Sequence, residues 1–201
     1  MILTTSMLKD QLHDFSDPAG KIMRMRREKK IFQLTRGLYE TDPDVPGQCL
    51  AGAIYGPSYL SFDYALSLYN LIPEAVYAFT SATFKKRRTK NYINRFGRYM
   101  YRDVPEAAFP FGITIRKEHG YEYRIAVPEK ALCDKLYAMP PVTSVKDIRK
   151  MLFDDLRIDE DGFANLDAEI ILQIGDMYHS NNLKYLVKYI CGKSRVTGVE
   201  K

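Results

Sequence analysis

Histidine and cysteine are scarce in this chain, three of each among 201 residues, and their scarcity excludes several kinds of chemistry. Cys49, Cys133 and Cys191 are widely spaced, odd in number and in no CxxC arrangement, so neither a disulfide framework nor a zinc cluster is expected. Reduced thiols suit a cytoplasmic protein. His13, His119 and His179 belong to no HExxH or other ligand-spaced motif, and no metal or cofactor is expected. The segment around Asp159, Asp161 and Gly162 resembles a calcium loop, but its first and twelfth ligand positions fall on Arg157 and Ala168, which lack the required oxygens. The patterns GxxxxGK(S/T), GxGxxG and GxSxG are missing, so neither a phosphate-cradling loop nor a nucleophile elbow has a starting point. Two-metal nucleotidyl transfer needs paired acids after a Gly-Ser turn, whereas Gly56-Pro57-Ser58 is followed by Asp63 alone.

Long apolar runs are missing as well. None approaches the roughly 18 residues that would suggest a membrane span. The opening MILTTSMLKDQLHDF has no cationic stretch leading into an uninterrupted apolar one, so a secretory signal is not expected.

What the sequence does contain is cationic charge in blocks. The net charge is +5, yet Lys21 to Arg36 alone carries seven basic residues against Glu28, and Lys85 to Arg102 carries eight basic residues and no acidic one. The acids gather in DDLRIDEDGFANLDAE near the C-terminal side. Such polarisation suits a face that meets a polyanion, because each phosphate neutralised releases counterions.

The order of elements sharpens this. TTSMLKDQLHDF, residues 4 to 15, predicts a helix capped by Thr4 or Thr5, with Met7, Leu8, Leu12 and Phe15 on its apolar stripe. Asp17 and Pro18 then form an N-cap and first-turn pair, so PAGKIMRMRREKK predicts a second helix burying Ala19, Ile22, Met23 and either Met25 or the stem of Arg26. Its other faces carry Lys21, Arg24, Arg27, Lys29 and Lys30. IFQLTRGLYE follows as a short ribbon turning at Arg36-Gly37. Helix, turn, basic helix and ribbon is the order of a winged helix-turn-helix, in which the second helix enters the DNA major groove. Such a domain usually has three helices, and here only two fit before the ribbon. Either the first is missing or a downstream segment completes the small core.

TDPDVPGQ, residues 41 to 48, reads as a linker, dividing the chain into 1–45 and 46–201. Beyond it, Ser61 is a candidate cap for a helix turning Tyr64, Ala65, Leu68 and Leu71 inward, and Asn70 suits a left-handed end. A strand, AVYAFTSAT, leads into the second cationic block, where Lys85, Lys86, Arg87, Arg88 and Lys90 form a possible second basic patch while Tyr99 and Tyr101 read as core. FPFGITIRKEHGYEYRIAV predicts two strands around Glu118-His119-Gly120. Residues 140–201 read as helical, with caps at Ser144, Asn165 and Asn181 or Asn182. The fold class is therefore α+β: an N-terminal winged helix-turn-helix, then a mixed α/β domain over 46–139 with a helical C-terminal region.

RIAVPEKALCDKLY packs Glu129, Lys130, Cys133, Asp134 and Lys135 together and could pass for an active site. Its grammar is that of a strand ending at Val127 and a helix led by Pro128, with Glu129 matched to the helix dipole. Arg36-Gly37-Leu38-Tyr39 after a basic helix, Tyr59-Leu60-Ser61 leading to Ala65-Leu66 and Leu71-Ile72-Pro73, and Ile125-Ala126-Val127-Pro128-Glu129-Lys130-Ala131-Leu132 together resemble the AbiEi family over residues 4 to 139. These are antitoxins of type IV, abortive-infection toxin–antitoxin systems that act in phage defence. The resemblance implies a DNA-binding winged helix, a C-terminal antitoxin domain, no catalytic residues, and repression of the protein's own operon through promoter repeats. It also implies a nucleotidyltransferase-like toxin as functional partner, opposed without a required stable complex. The DNA contacts it suggests are Lys21, Arg24, Arg27, Lys29, Lys30 and Arg36. Three other readings stay open: a structured-RNA-binding module contacting its target through Lys85 to Arg102, a winged-helix regulator unrelated to a toxin, and an enzyme using Glu129, Cys133 or Asp134.

Overall fold

A three-residue strand, β1 (Ile2–Thr4), begins the chain and was not legible in the sequence. The computed structural model describes residues 1–197, with side chains through Gly192. Thr4 ends the strand and caps α1 (Thr5–Gln11), accepting the Met7 N–H at 3.2 Å. Asp17 caps α2 (Pro18–Arg27) through a 2.9 Å bond from Gly20 N. A hairpin follows, β2 (Phe32–Thr35) and β3 (Leu38–Glu40), turning at Arg36-Gly37 with Gly37 at φ +79. The three strands form an antiparallel sheet in the order β1-β3-β2.

One face of that sheet meets both helices in a small cluster of Leu3, Leu8, Ile22, Ile31 and Tyr39, with Leu12 and Met25 partly buried against it. Among the described residues no downstream segment enters this cluster; β1 closes it. So small a core cannot cover every apolar side chain offered to it. Met7, Phe15, Ala19 and Met23 are exposed, against expectation: α1 stops at Gln11, leaving Phe15 outside the helix, and Met23 faces solvent at 58%. The opposite face of the sheet contributes Leu34, Ile2 and Leu38 to the larger core.

Residues 41 to 46 lack regular structure but are pinned by Arg95 to the Pro43 carbonyl (3.2 Å) and by His119 to Asp42 (2.8 Å). After a 3-10 turn, Gly47–Leu50, come α3 (Ala51–Ile54), a cis Gly56–Pro57 bond, β4 (Tyr59–Leu60) and α4 (Phe62–Leu68). Five further strands, β5 (Ala78–Thr83), β6 (Lys90–Asn94), β7 (Gly97–Asp103), β8 (Ile113–Glu118) and β9 (Tyr121–Ala126), complete a mixed six-stranded sheet ordered β6-β7-β5-β4-β9-β8. The β8–β9 hairpin turns at His119-Gly120, both left-handed, as predicted. One sheet face packs on the Gly47–Leu50 turn and α3, with Tyr99 and Tyr101 donating to the carbonyls of Gly47 and Ala51. The other is covered by α4 and by α5 (Pro128–Tyr137), against which α8 (Ala168–Gly175) and α9 (Asn181–Thr197) pack. Between them run α6 (Val145–Lys150), a π-helical turn (Met151–Asp155) and α7 (Glu160–Ala164). No described helix is long and apolar enough to cross a membrane.

Several local expectations change here. Ser61 occupies the N-cap of α4 but its hydroxyl bonds Asp134 instead of a helix amide. Phe62, Ala65 and Leu66 are the buried side chains of α4, while Leu68 is exposed and Tyr64 half-buried. Asn165 ends α7, and Asp167 caps α8 by accepting the amides of Glu169 and Ile170. Asn182 is no cap: it is buried, accepts Val142 N at 2.7 Å and donates to the Leu136 and Pro140 carbonyls, tying α9 to the chain leaving α5.

Candidate nucleic-acid interface

The basic helix is shorter than its sequence suggests. It ends at Arg27, after which Lys29 adopts a left-handed conformation (φ 56), donates to Arg26 O (3.1 Å), and Lys30 N reaches back to Met25 O (2.9 Å). That is a Schellman ending, with lysine where glycine is usual. Lys29 and Lys30 therefore lie beyond the helix instead of on its faces, and Lys30 pairs with Glu28 at 2.7 Å. The Lys30 hydrogen bond and charge hold the Glu28 carboxyl below its ordinary range.

With Ile22 as its one buried residue, α2 leaves Lys21, Arg24 and Arg27 in a row one turn apart, and the last turn's arginines complement the negative helix end. Lys21 is half-buried over the Phe15 ring at 4.8 Å. Arg24, Arg26, Arg27 and Arg36 are exposed and form no ion pair within 4.0 Å among the described residues. Arg26, whose stem was a candidate for burial, instead opens onto an open groove of about 470 Å³ lined also by Met23, Arg27, Phe32, Gln33 and Arg95.

Arg95 comes from the β6–β7 turn of the six-stranded sheet. Its guanidinium lies 4.1 Å from the Phe32 ring centroid and 5.3 Å from that of Phe96, and it donates to the Pro43 carbonyl. Asn94 beside it donates to the Leu34 carbonyl at 3.1 Å, seating the turn against β2. The structure thus joins Arg26, Arg27 and Arg95 in one groove. Arg36 stands apart, four residues along the ribbon from Phe32, or roughly 13 Å of extended chain. Its turn is held to α1 by Thr5 N bonding the Gly37 carbonyl at 2.9 Å.

The second cluster is not continuous with this groove. It runs from the loop before β6 onto Lys90, the first residue of that strand, whereas Arg95 follows the strand's last residue. Lys85 is paired with Glu106 at 2.6 Å, and Lys86 donates to the Gly56 carbonyl and lies over Tyr55. The Arg87 amide is bonded to Asp103, and Lys90 is half-buried. The Arg87 and Arg88 side chains are exposed. Sequence reasoning placed Arg95 inside a basic block but had no means of choosing it, because its partner Phe32 is 63 residues away.

The charged stretch on α5 is sealed. Asp134 accepts Tyr178 OH (2.6 Å) on Oδ1, where Lys130 Nζ also lies at 3.0 Å, and accepts Ser61 Oγ (2.6 Å) and Tyr59 OH (3.0 Å) on Oδ2. Lys130 donates to the Ala108 carbonyl and meets Tyr178 OH at 2.5 Å. Glu129, also buried, accepts Asp167 N at 2.9 Å. Burial first, then the Asp134 charge, pushes the Cys133 thiol well above its ordinary range. A thiol so placed is a poor nucleophile. Burial, with the charge of Glu118, pushes the Cys49 thiol up to about 11. Among the described residues no group of three His, Cys, Asp or Glu side chains is placed to hold a metal ion. Compared with known proteins, the sequence matches no protein-family model and no curated relative.

Proposed function

We propose that the chain is a non-enzymatic, DNA-binding antitoxin that represses its own operon, with α2 as the element that enters the major groove. The observation that carries the DNA half is the exposed row of Arg24 and Arg27, flanked by Lys21 and Arg26, on a helix backed by its own small sheet. The element order β1-α1-α2-β2-β3 with sheet order β1-β3-β2 supports a winged helix lacking its first helix. In that arrangement the second helix reads bases while cations at its flank and on the ribbon grip phosphates. The antitoxin half rests on the resemblance in Arg36 to Tyr39, Tyr59 to Pro73 and Ile125 to Leu132. A nucleotidyltransferase-like toxin encoded alongside is its functional partner in this reading.

The DNA half is tested by titrating the purified protein against its own upstream DNA and a scrambled duplex across a salt series. Preference for the upstream fragment, with affinity falling steeply as salt rises, is expected. Lys21→Glu with Arg24→Glu and Arg27→Glu should abolish binding in a folded protein; unchanged binding removes α2 from the interface. Co-expression with the neighbouring toxin gene tests the other half: absence of growth rescue would refute it.

A further inference from the structure

We infer that Met23 reads thymine C5-methyl groups in the DNA major groove and is a specificity-determining residue; the inference rests on the reading of α2 as the element that enters that groove. Met23 is the large apolar side chain that α2 leaves in solvent, 58% exposed. Helix geometry places it. At 3.6 residues per turn, Met23 and Arg27 each stand about 160° around the axis from Met25, and Gly20 and Arg24 about 160° from Ile22. Ile22 and Met25 face the small core, so these four residues form the outward face of the helix. Gly20 bares that face in the first turn, because a Cβ there would meet the Asp17 carboxylate that caps the helix. Met23 therefore protrudes, with Ala19, also exposed, one turn before it.

Cations surround this apolar centre. Met23 lines both the groove toward β2 and a second one, of about 300 Å³, between α1 and α2. Arg27 and Arg95 border the first, Lys9 the second, and Arg26 both. The acids next to α2 are already engaged, Asp17 as its cap and Glu28 with Lys30. Side chains able to grip phosphate, set around one that cannot, suit a helix that is positioned by the backbone and specified by the bases. Chemistry then selects the base. A thioether is at most a weak acceptor and gains little from phosphate oxygens or from the acceptors of guanine. The apolar group that B-DNA presents in its major groove is the C5-methyl of thymine. Uracil lacks that methyl, so the same contact separates DNA from RNA.

The test titrates the full chain, by fluorescence anisotropy at one salt concentration, against its own upstream fragment made with thymidine or with deoxyuridine. The exchange deletes the methyls and keeps every base pair. Each contacted methyl that is lost should weaken wild-type binding about fourfold, the change expected for one buried CH₂ group. A scrambled duplex given the same exchange should bind as before; an equal loss there would trace the effect to the duplex itself and overturn the inference. Met23→Ala, at an exposed position and with circular dichroism as control, should bind the two upstream fragments alike, about as weakly as the wild type binds the deoxyuridine one. Equal wild-type affinity for the two fragments overturns the inference and leaves the DNA-binding reading standing. A methyl effect that persists undiminished in Met23→Ala assigns the contact to another residue and overturns it too. Failure of the wild type to prefer the thymidine fragment over the scrambled one overturns that reading and this inference together.

Discussion

Tyr121 on β9 donates a 2.7 Å hydrogen bond to Oε2 of Glu40 on β3, joining the three-stranded sheet to the six-stranded one through a fully buried carboxylate. Oε1 of the same carboxylate meets the Met1 amine and the amides of Thr41 and Asp42. Burial raises the Glu40 pKa, but the hydrogen bonds from the Met1 amine, Asp42, Tyr121 and Thr41 outweigh it and hold the carboxyl below its ordinary value. With the Asn94 bond to the Leu34 carbonyl, the Tyr121 bond is one of the hydrogen bonds that cross between the two sheets.

Removing the donor with Tyr121→Phe should destabilise the protein by about 1.5–3 kcal/mol, the range for hydrogen bonds to charged groups. Because the Glu40 pKa is depressed, its contribution is complete above the ordinary glutamate value of 4.5 and is lost as pH falls through the lower, folded value. Urea denaturation at pH 7 and across the acid range checks both. Glu40→Gln should flatten the acid limb; an unchanged limb assigns acid sensitivity to other carboxylates.

Lys130→Met leaves Asp134 buried without its cation and should cost about 3–5 kcal/mol. The double variant Lys130→Met with Asp134→Asn should regain part of that loss, since it removes both charges and keeps the shape. Urea midpoints of the four proteins give the coupling directly. Additive losses would mean that the two side chains do not act as a pair.

Lys29→Gly separates stability from binding. Glycine adopts the left-handed conformation without the Cβ strain that lysine bears, so the variant should gain about 1 kcal/mol. It also loses one cation at the end of α2 and should bind duplex DNA more weakly. Thermal melting and a duplex titration are the paired measurements, and the two effects are expected to have opposite signs.

Arg95→Ala should weaken duplex binding several-fold and lower the logarithmic salt dependence by about 0.9, the amount expected for one phosphate contact. Arg88→Ala, on the other side of β6, should leave duplex affinity almost unchanged. Equal effects from the two substitutions would mean that the groove between α2 and β2 is not the DNA path.

Much of this was legible locally. Asp17-Pro18 starts α2, Asn70 takes its left-handed turn (φ 57), Ser144 caps α6 by accepting Asp147 N, and His119-Gly120 closes a hairpin. Each depends on residues within about four positions, where backbone geometry and a short side chain suffice. Less local features were missed or misread. β1 is three residues long, too short to show alternation, and gains its identity by pairing with β3. Asp167 caps α8 in place of Asn165, and its own amide is held by Glu129, 38 residues away in the chain.

Composition and local pattern by themselves established an α+β chain with two cationic blocks, a Pro-led helix at Glu129, and tyrosines at positions 99 and 101 suited to a core. Tertiary structure decided which charges are available. Lys130 and Asp134 vanish into a closed network, Lys85 and Lys30 are paired with acids, and Arg24, Arg27, Arg95, Arg98 and Arg102 remain facing solvent. The reason is that desolvation and pairing depend on partners brought in from distant strands and helices, such as Tyr178 for Lys130 and Phe32 for Arg95, whereas helix caps and turns depend only on near neighbours.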